Sequence, residues 1–221
     1  MRNPYFDAPR LPNVDQVDPR LLVGAGPEPI ELEIGPGRGG FLFERLAAFG
    51  QVRMIGLEVR LKWAKIVDDK LRERGFGERA RVFAEDAVAA VRRFPDACLA
   101  AVFVHFPDPW WKKRHEKRLV VRDALLSELA RVMVSGAELF VQTDVEERAA
   151  AYAQLIGATD GFVPVETEAS VSENPYGARS PREHRAMADG LPIYRFRYRR
   201  SGPVVVGVPA AATVPLSATP L

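Results

Sequence analysis

The sequence predicts an α/β fold: a mostly parallel sheet with helices on both faces. Three observations predict it. Strand-like and helix-like segments alternate from Pro29 to about Arg200. One segment, Ala100 to Phe106, is almost wholly apolar, as a strand buried on both faces must be. And the first strand-like run ends in a glycine-rich turn, Gly35-Pro-Gly-Arg-Gly-Gly40, that opens a helical pattern.

The elements follow in order. Residues 1–28, rich in Pro, Asp and Asn, carry little periodicity and read as an irregular arm. Pro29 to Ile34 is a strand, Phe41 to Phe49 a helix, and Arg53 to Val59 a second strand. Leu61 to Arg74 is a helix rich in Lys and Leu. Arg81 to Asp86 is a third strand, with a short helix after it. Ala100 to Phe106 is the fourth strand, Glu116 to Val134 a helix, Ala137 to Asp144 a fifth strand, and Glu146 to Ile156 a helix. Ile193 to Arg199 alternates around Tyr194, Phe196 and Tyr198 and reads as a late strand. The domain therefore spans 29–200. No internal repeat and no second domain is evident.

Residues 201–221 form a tail rich in Pro, Ala and Val. From Pro203 onward it carries no charge and on paper could span a bilayer, but four prolines and Gly207 break any helix there. The expectation is a disordered or surface-draped tail and no membrane partner. The start lacks the apolar core of a signal peptide, so the expected location is cytoplasmic. Cys98 is the one cysteine. It excludes an intramolecular disulfide and a multi-cysteine zinc site, and its apolar neighbours suggest a buried thiol. Net charge is only +2, so a basic surface must come from local clustering.

In open parallel sheets ligands bind beyond the carboxyl ends of the strands, and those ends carry the chemistry. At the first, Glu33 precedes Gly35, Gly37 and Gly39. The glycines let the backbone approach a ligand closely, as in nucleotide cradles. An acid beneath such a cradle repels a pyrophosphate but attracts the cationic amino-acid end of S-adenosylmethionine. At the second, Glu58 suits ribose hydroxyls, of that cofactor or of NAD. At the third, Asp86 is placed to meet an adenine amino group. It also has the context of a helix N-cap, and the two roles can coexist.

The fourth strand runs into Phe106-Pro-Asp-Pro-Trp-Trp111. Two prolines frame Asp108 rigidly, and the aromatics can stack on a base. An ionised Asp accepts two hydrogen bonds, which matches the N1–H and N2–H donors of guanine. Lys112 to Arg118 follows, five of its seven residues positively charged, and adjoins this mouth. Lys112 and Arg114 are candidate phosphate contacts. Arg195, Arg197, Arg199 and Arg200 either extend that track or form the polar face of an edge strand. His105, His115 and His184 are scattered. They read as RNA-facing or structural, with no metal called for.

Taken together, Glu33-Ile-Gly-Pro-Gly-Arg-Gly39, Gly56-Leu-Glu58, Asp86-Ala87, Phe106-Pro-Asp-Pro-Trp110 with its basic run, Gln142-Thr-Asp144 and Gly190-Leu-Pro-Ile-Tyr-Arg195 resemble, in order and spacing, the tRNA (guanine-N7)-methyltransferase family. The resemblance covers roughly 29–200. It implies a Rossmann-like class I methyltransferase fold, seven-stranded with the last strand antiparallel. It also implies S-adenosyl-L-methionine held by Glu33, the glycine turn, Glu58 and Asp86, and Asp108 at the catalytic centre. Lys112 and Asp144 would lie on the substrate, which would be the variable-loop guanosine of tRNA. The family's Thr-x-(Phe/Tyr)-Glu stretch before the last strand is Ser180-Pro-Arg-Glu183 here, keeping a hydroxyl and the acid. Ser180 is therefore a substrate-binding candidate and Glu183, with Asp108, a catalytic one. The chain is expected to be a monomer or homodimer. Competing readings are a NAD-dependent oxidoreductase, a methyltransferase acting on another RNA or on protein, and a non-catalytic tRNA-binding relative.

Overall fold

The structure is a computed structural model and describes residues 3–24, 26, 30–107 and 119–202. Seven strands form one sheet in the order β3-β2-β1-β4-β5-β7-β6. They are β1 Ile30–Ile34, β2 Arg53–Leu57, β3 Ala80–Phe83, β4 Leu99–His105, β5 Met133–Thr143, β6 Phe162–Pro164 and β7 Tyr194–Arg200. The pairings of β1 to β5 are parallel, whereas β7 runs antiparallel to both β5 and β6. The chain leaves β1 toward β2 on one side and returns to β4 on the other. This reversal of strand order opens a crevice above β1 and β4.

The helices are α1 Gly40–Ala48, α2 Leu61–Glu73, α3 Ala87–Val91, α4 Asp123–Val132, α5 Glu146–Gly157 and α6 Pro181–Ala188. The sheet separates two apolar cores. Leu32, Val102, Leu139 and Leu129 lie in the larger one, and Phe41, Phe103, Phe140 and Tyr176 in the other. Alternate residues of β4 and β5 thus feed opposite faces, which accounts for the nearly unbroken apolar character of β4.

The sheet has the expected strand number and sense. Three local readings are corrected. The helix expected over Glu116 to Val134 begins, within the described residues, only at Asp123. Arg122 is extended (φ −154°, ψ 163°) and Val121 is buried in the core. That helix gives way directly to β5 at Met133, four residues earlier than Ala137, because Met133 pairs with Leu99. The stretch before β7 also forms a helix that the sequence reading did not assign, α6, capped by Ser180. And β7 is not an edge strand, since β6 covers it.

The N-terminal arm is irregular, with one 3-10 turn at Pro19–Leu21, yet tightly stitched down. Leu11, Val17 and Val23 enter the main core. Val17 N donates to Arg93 O (2.8 Å) and Ala84 N to Pro9 O (2.7 Å). The Arg93 guanidinium donates to Val14 O at 2.7 Å. Cys98 is buried, as its neighbours suggested, and burial pushes its thiol up to about 12. No helix among the described residues is long and apolar enough to cross a membrane.

Candidate active site

A cleft of about 340 Å³ opens at the carboxyl ends of β1, β4 and β5. Its floor is Glu33 and His105, one wall is the Gly35–Arg38 turn, and the opposite wall is Thr143 to Val145 with the start of α6. Phe106 and Pro107 form the rim through which the chain passes to Asp108.

The glycine turn is shaped by backbone that side chains resist. Gly35 has φ +71°, and a Cβ there would meet nothing within 4 Å, so its open side is free for a ligand to approach. Gly37 N donates to Glu58 Oε2 (3.0 Å), which ties the turn to the end of β2. Gly39 caps α1 with φ +78° and lies against Val67, out of the cleft. Beside it Gly40 meets Pro181: an added Cβ would stand 2.5 Å from the proline ring. This contact seats the first turn of α6 against the first turn of α1 and closes the cleft from that side.

Glu33 is 2 % exposed. Its Oε1 lies 3.1 Å from His105 Nδ1, while its Oε2 has no hydrogen-bond partner among the described residues. Such an acceptor is costly unless a ligand completes it. A cationic donor group above Glu33 would do so, and a phosphate would not. The residues therefore fit the amino-acid end of S-adenosylmethionine.

The other candidates divide. Gly35, Gly37, Asp144 and Ser180 line the same cleft as Glu33. Asp144 is held by Arg182, whose Nε donates to Oδ2 at 2.8 Å. The arginine standing where the resembled family has an aromatic thus sits on a substrate candidate at the mouth. Ser180 Oγ accepts from Glu183 N (3.2 Å) and caps α6. Glu58 is buried just behind the turn. Arg60 donates to both of its oxygens (2.9 and 3.0 Å), an interaction that raises the Arg60 pKa. Asp86 is exposed and does not line the cleft. It caps α3 by accepting from Ala89 N (3.0 Å), so the helix-cap half of its dual reading is the half the geometry carries.

Glu183 departs from expectation. It is wholly buried, and protein donors use both of its oxygens: Gln142 Nε2 (3.0 Å) and Asn174 Nδ2 (2.8 Å) on one, Arg195 Nη2 (3.0 Å) on the other. It does not face the cleft. Three of the four β7 arginines are likewise engaged inward. Arg195 holds Glu183, Arg197 makes a two-point pair with Glu138 (2.9 and 2.9 Å), and Arg200 donates to Ala130 O. These three are spent within the fold, whereas Arg199 is half-exposed, 3.8 Å from Glu138. Asp108, Lys112 and Arg114 lie outside the described residues.

His105 is the site residue that sequence reading passed over as RNA-facing or structural. Its pairing with Glu33 spans 72 residues and is visible only once β1 and β4 are neighbours. The helix that delivers Ser180 was also missed, although Ser180-x-x-Glu183 with Pro181 at the first helical position is a capping-box pattern.

Comparison with known proteins decides the family. A family model described as "Putative methyltransferase" matches residues 27–196. The tRNA (guanine-N(7)-)-methyltransferase of Myxococcus xanthus is 34% identical over 171 residues, 76% of this chain and 82% of that protein. The protein of the same name from Anaeromyxobacter dehalogenans is 35% identical over 184 residues, 81% and 90% of the two chains. The chain belongs to the tRNA (guanine-N7)-methyltransferase family. Among solved structures, the 16S rRNA methyltransferase KamB superposes with a TM-score of 0.60 at 14% identity, covering 88% of this chain and 99% of that one. The [4+2]-cyclase SpnF superposes at 0.57 and 16%, covering 89% and 88%. At these identities the likeness establishes the class I methyltransferase fold, and a cyclase among the neighbours shows that the fold alone does not fix the reaction.

Proposed function

We propose that this protein transfers the methyl group of S-adenosylmethionine to N7 of a guanosine in the variable loop of tRNA. The observation that carries the reading is the buried, half-paired Glu33 beneath the glycine turn, at the crevice between β1 and β4. A dinucleotide-binding reading is disfavoured by the same carboxylate, which would oppose a pyrophosphate. Family membership supplies the acceptor.

S-adenosylmethionine, when bound, supplies an electrophilic methyl on a sulfonium. Guanine N7 carries a free lone pair and no proton, so no general base is needed. What the protein must do is align the two reactants, an effect that in well-oriented systems contributes roughly 7–11 kcal/mol. Glu33 anchors the amino-acid end, and the open face of Gly35 admits the cofactor close to the backbone. Glu58, buried behind Gly37, would take ribose hydroxyls once Arg60 moves aside. Asp108 follows the rim residue Pro107. We assign it the guanine edge, where a carboxylate accepts N1–H and N2–H and stabilises the positive charge that grows on the ring. Glu183 then acts at a distance, as a positioning residue that fixes the start of α6 and so Ser180.

The test is incubation with S-adenosylmethionine labelled in the methyl group and unmodified tRNA, followed by nucleoside analysis. Label in 7-methylguanosine, lost when the variable-loop guanosine is replaced, is expected. Asp108→Ala should abolish turnover and keep cofactor affinity. Label on another nucleoside, or near-normal turnover in that variant, would overturn the assignment.

A further inference from the structure

Arg182 stands at the cleft mouth, in the first turn of α6, between two anchored residues. Pro181 before it packs on Gly40, and Glu183 after it accepts from Gln142, Asn174 and Arg195. The start of α6 is therefore held without Arg182. The arginine nonetheless reaches across to Asp144, where Nε (2.8 Å) and Nη2 both donate to Oδ2. The two partners differ in exposure: the Asp144 side chain is 11 % exposed and that of Arg182 53 %. The pairing occupies one edge of the guanidinium. Its other edge, Nη1 with the second N–H of Nη2, has no acceptor among the described residues.

An RNA strand at this mouth meets acid, because Glu33 and Asp144 both line the cleft. An uncompensated Asp144 at the rim would repel a polyanion, and Arg182 cancels that charge. A base that is turned out of its stack enters a pocket while its own phosphates stay at the rim. There the free edge of the guanidinium is a planar fork that matches two phosphate oxygens. The carboxylate fixes the orientation of that fork in advance. Arg182 stands where the resembled family has an aromatic, which can stack but does neither of these things, so the device belongs to this chain.

We propose that Arg182 is a phosphate-binding residue, oriented by Asp144 to grip the backbone of the nucleotide whose base enters the cleft. This rests on the reading of RNA as the methyl acceptor. It deepens that reading by making α6 the wall that holds the target nucleotide from outside.

The experiment uses tRNA carrying a neutral methylphosphonate at the phosphate on one side or the other of the variable-loop guanosine, one substitution per molecule. Wild type should bind one of the two about tenfold more weakly than tRNA with its ordinary backbone. Arg182→Ala should bind ordinary tRNA about tenfold more weakly, with a salt slope lower by about one, and should be indifferent to that methylphosphonate. Arg182→Lys keeps the charge without the fork. It should keep the slope, lose part of the affinity and respond to the methylphosphonate less than wild type, and it carries the test if Arg182→Ala does not fold. Affinity for S-adenosylhomocysteine, by calorimetry, should be unchanged in both variants. Additive losses from variant and methylphosphonate at both positions would mean that Arg182 touches neither phosphate. Weakening of S-adenosylhomocysteine and tRNA alike would mean a structural clasp only. Either result overturns the proposal while the methyltransferase reading stands. If wild type placed no methyl group on a tRNA guanosine, that reading would fall as well.

Discussion

A carboxylate near a reaction centre can act on the substrate or hold the frame, and burial distinguishes the two at single-residue scale. Glu183 is in the second position: wholly buried, accepting from Gln142, Asn174 and Arg195, with Arg195 itself mostly out of solvent. Removing one partner of such a pair strands the other charge, at a typical cost of about 3–5 kcal/mol. Glu183→Ala should therefore lower the unfolding temperature by several degrees or more. Whatever activity it loses should be regained in part at low temperature, where the folded fraction recovers. A catalytic Glu183 would give the opposite pattern, near-normal unfolding with lost turnover at all temperatures. Cys98 offers a second residue-scale contrast. Its thiol, pushed up to about 12 by burial, stays protonated at any pH at which the protein works. Alkylation at pH 8 should be far slower in the native protein than in denaturant, and comparable rates would show that this part of the core opens readily.

At the scale of elements, the cleft depends on the contact between the first turns of α1 and α6. Gly40→Ala would place a methyl group 2.5 Å from the Pro181 ring, which cannot yield as a flexible side chain could. The expected cost is about 1–3 kcal/mol, with a larger rise in tRNA KM than in cofactor Kd, because α6 carries Ser180 and Arg182 at the mouth. Equal effects on both ligands would argue that the two helices do not divide the site in this way. The same helix shows where the sequence is hard to read. β4 announces itself by an apolar run and β1 by strict alternation, and Glu33, Gly35 and Gly37 could be located because strand ends in a parallel sheet are where ligands lie. α6 buries only Glu183 and Ala186, so no apolar stripe betrays it. What it delivers to the interior is a charge whose partner Arg195 lies on another element. β6, three residues long, is below the length at which alternation carries information. Pairings such as His105 with Glu33 are set by strand order, which one-dimensional pattern does not contain.

At the scale of the whole molecule, the question is which surface meets the RNA. Net charge is only +2, so electrostatic attraction to tRNA must come from local clusters. Two were available in the sequence, and the fold spends three of the four arginines of one. Arg195 and Arg197 are spent on Glu183 and Glu138, and Arg200 on a backbone carbonyl. The run from Lys112 to Arg118, which follows Pro107 in sequence, is the segment we propose for phosphate binding. Each phosphate contact releases counterions and steepens the dependence of log Kd on log salt by roughly one unit. The double variant Lys112→Ala/Arg114→Ala should therefore weaken tRNA binding and reduce the salt slope by about one to two. Arg199→Ala, at a half-exposed position 3.8 Å from Glu138, should leave the slope unchanged. If the slope instead fell with Arg199 and held with the double variant, the RNA would lie across β7, and the orientation of the substrate over the β1–β4 crevice would have to be reversed.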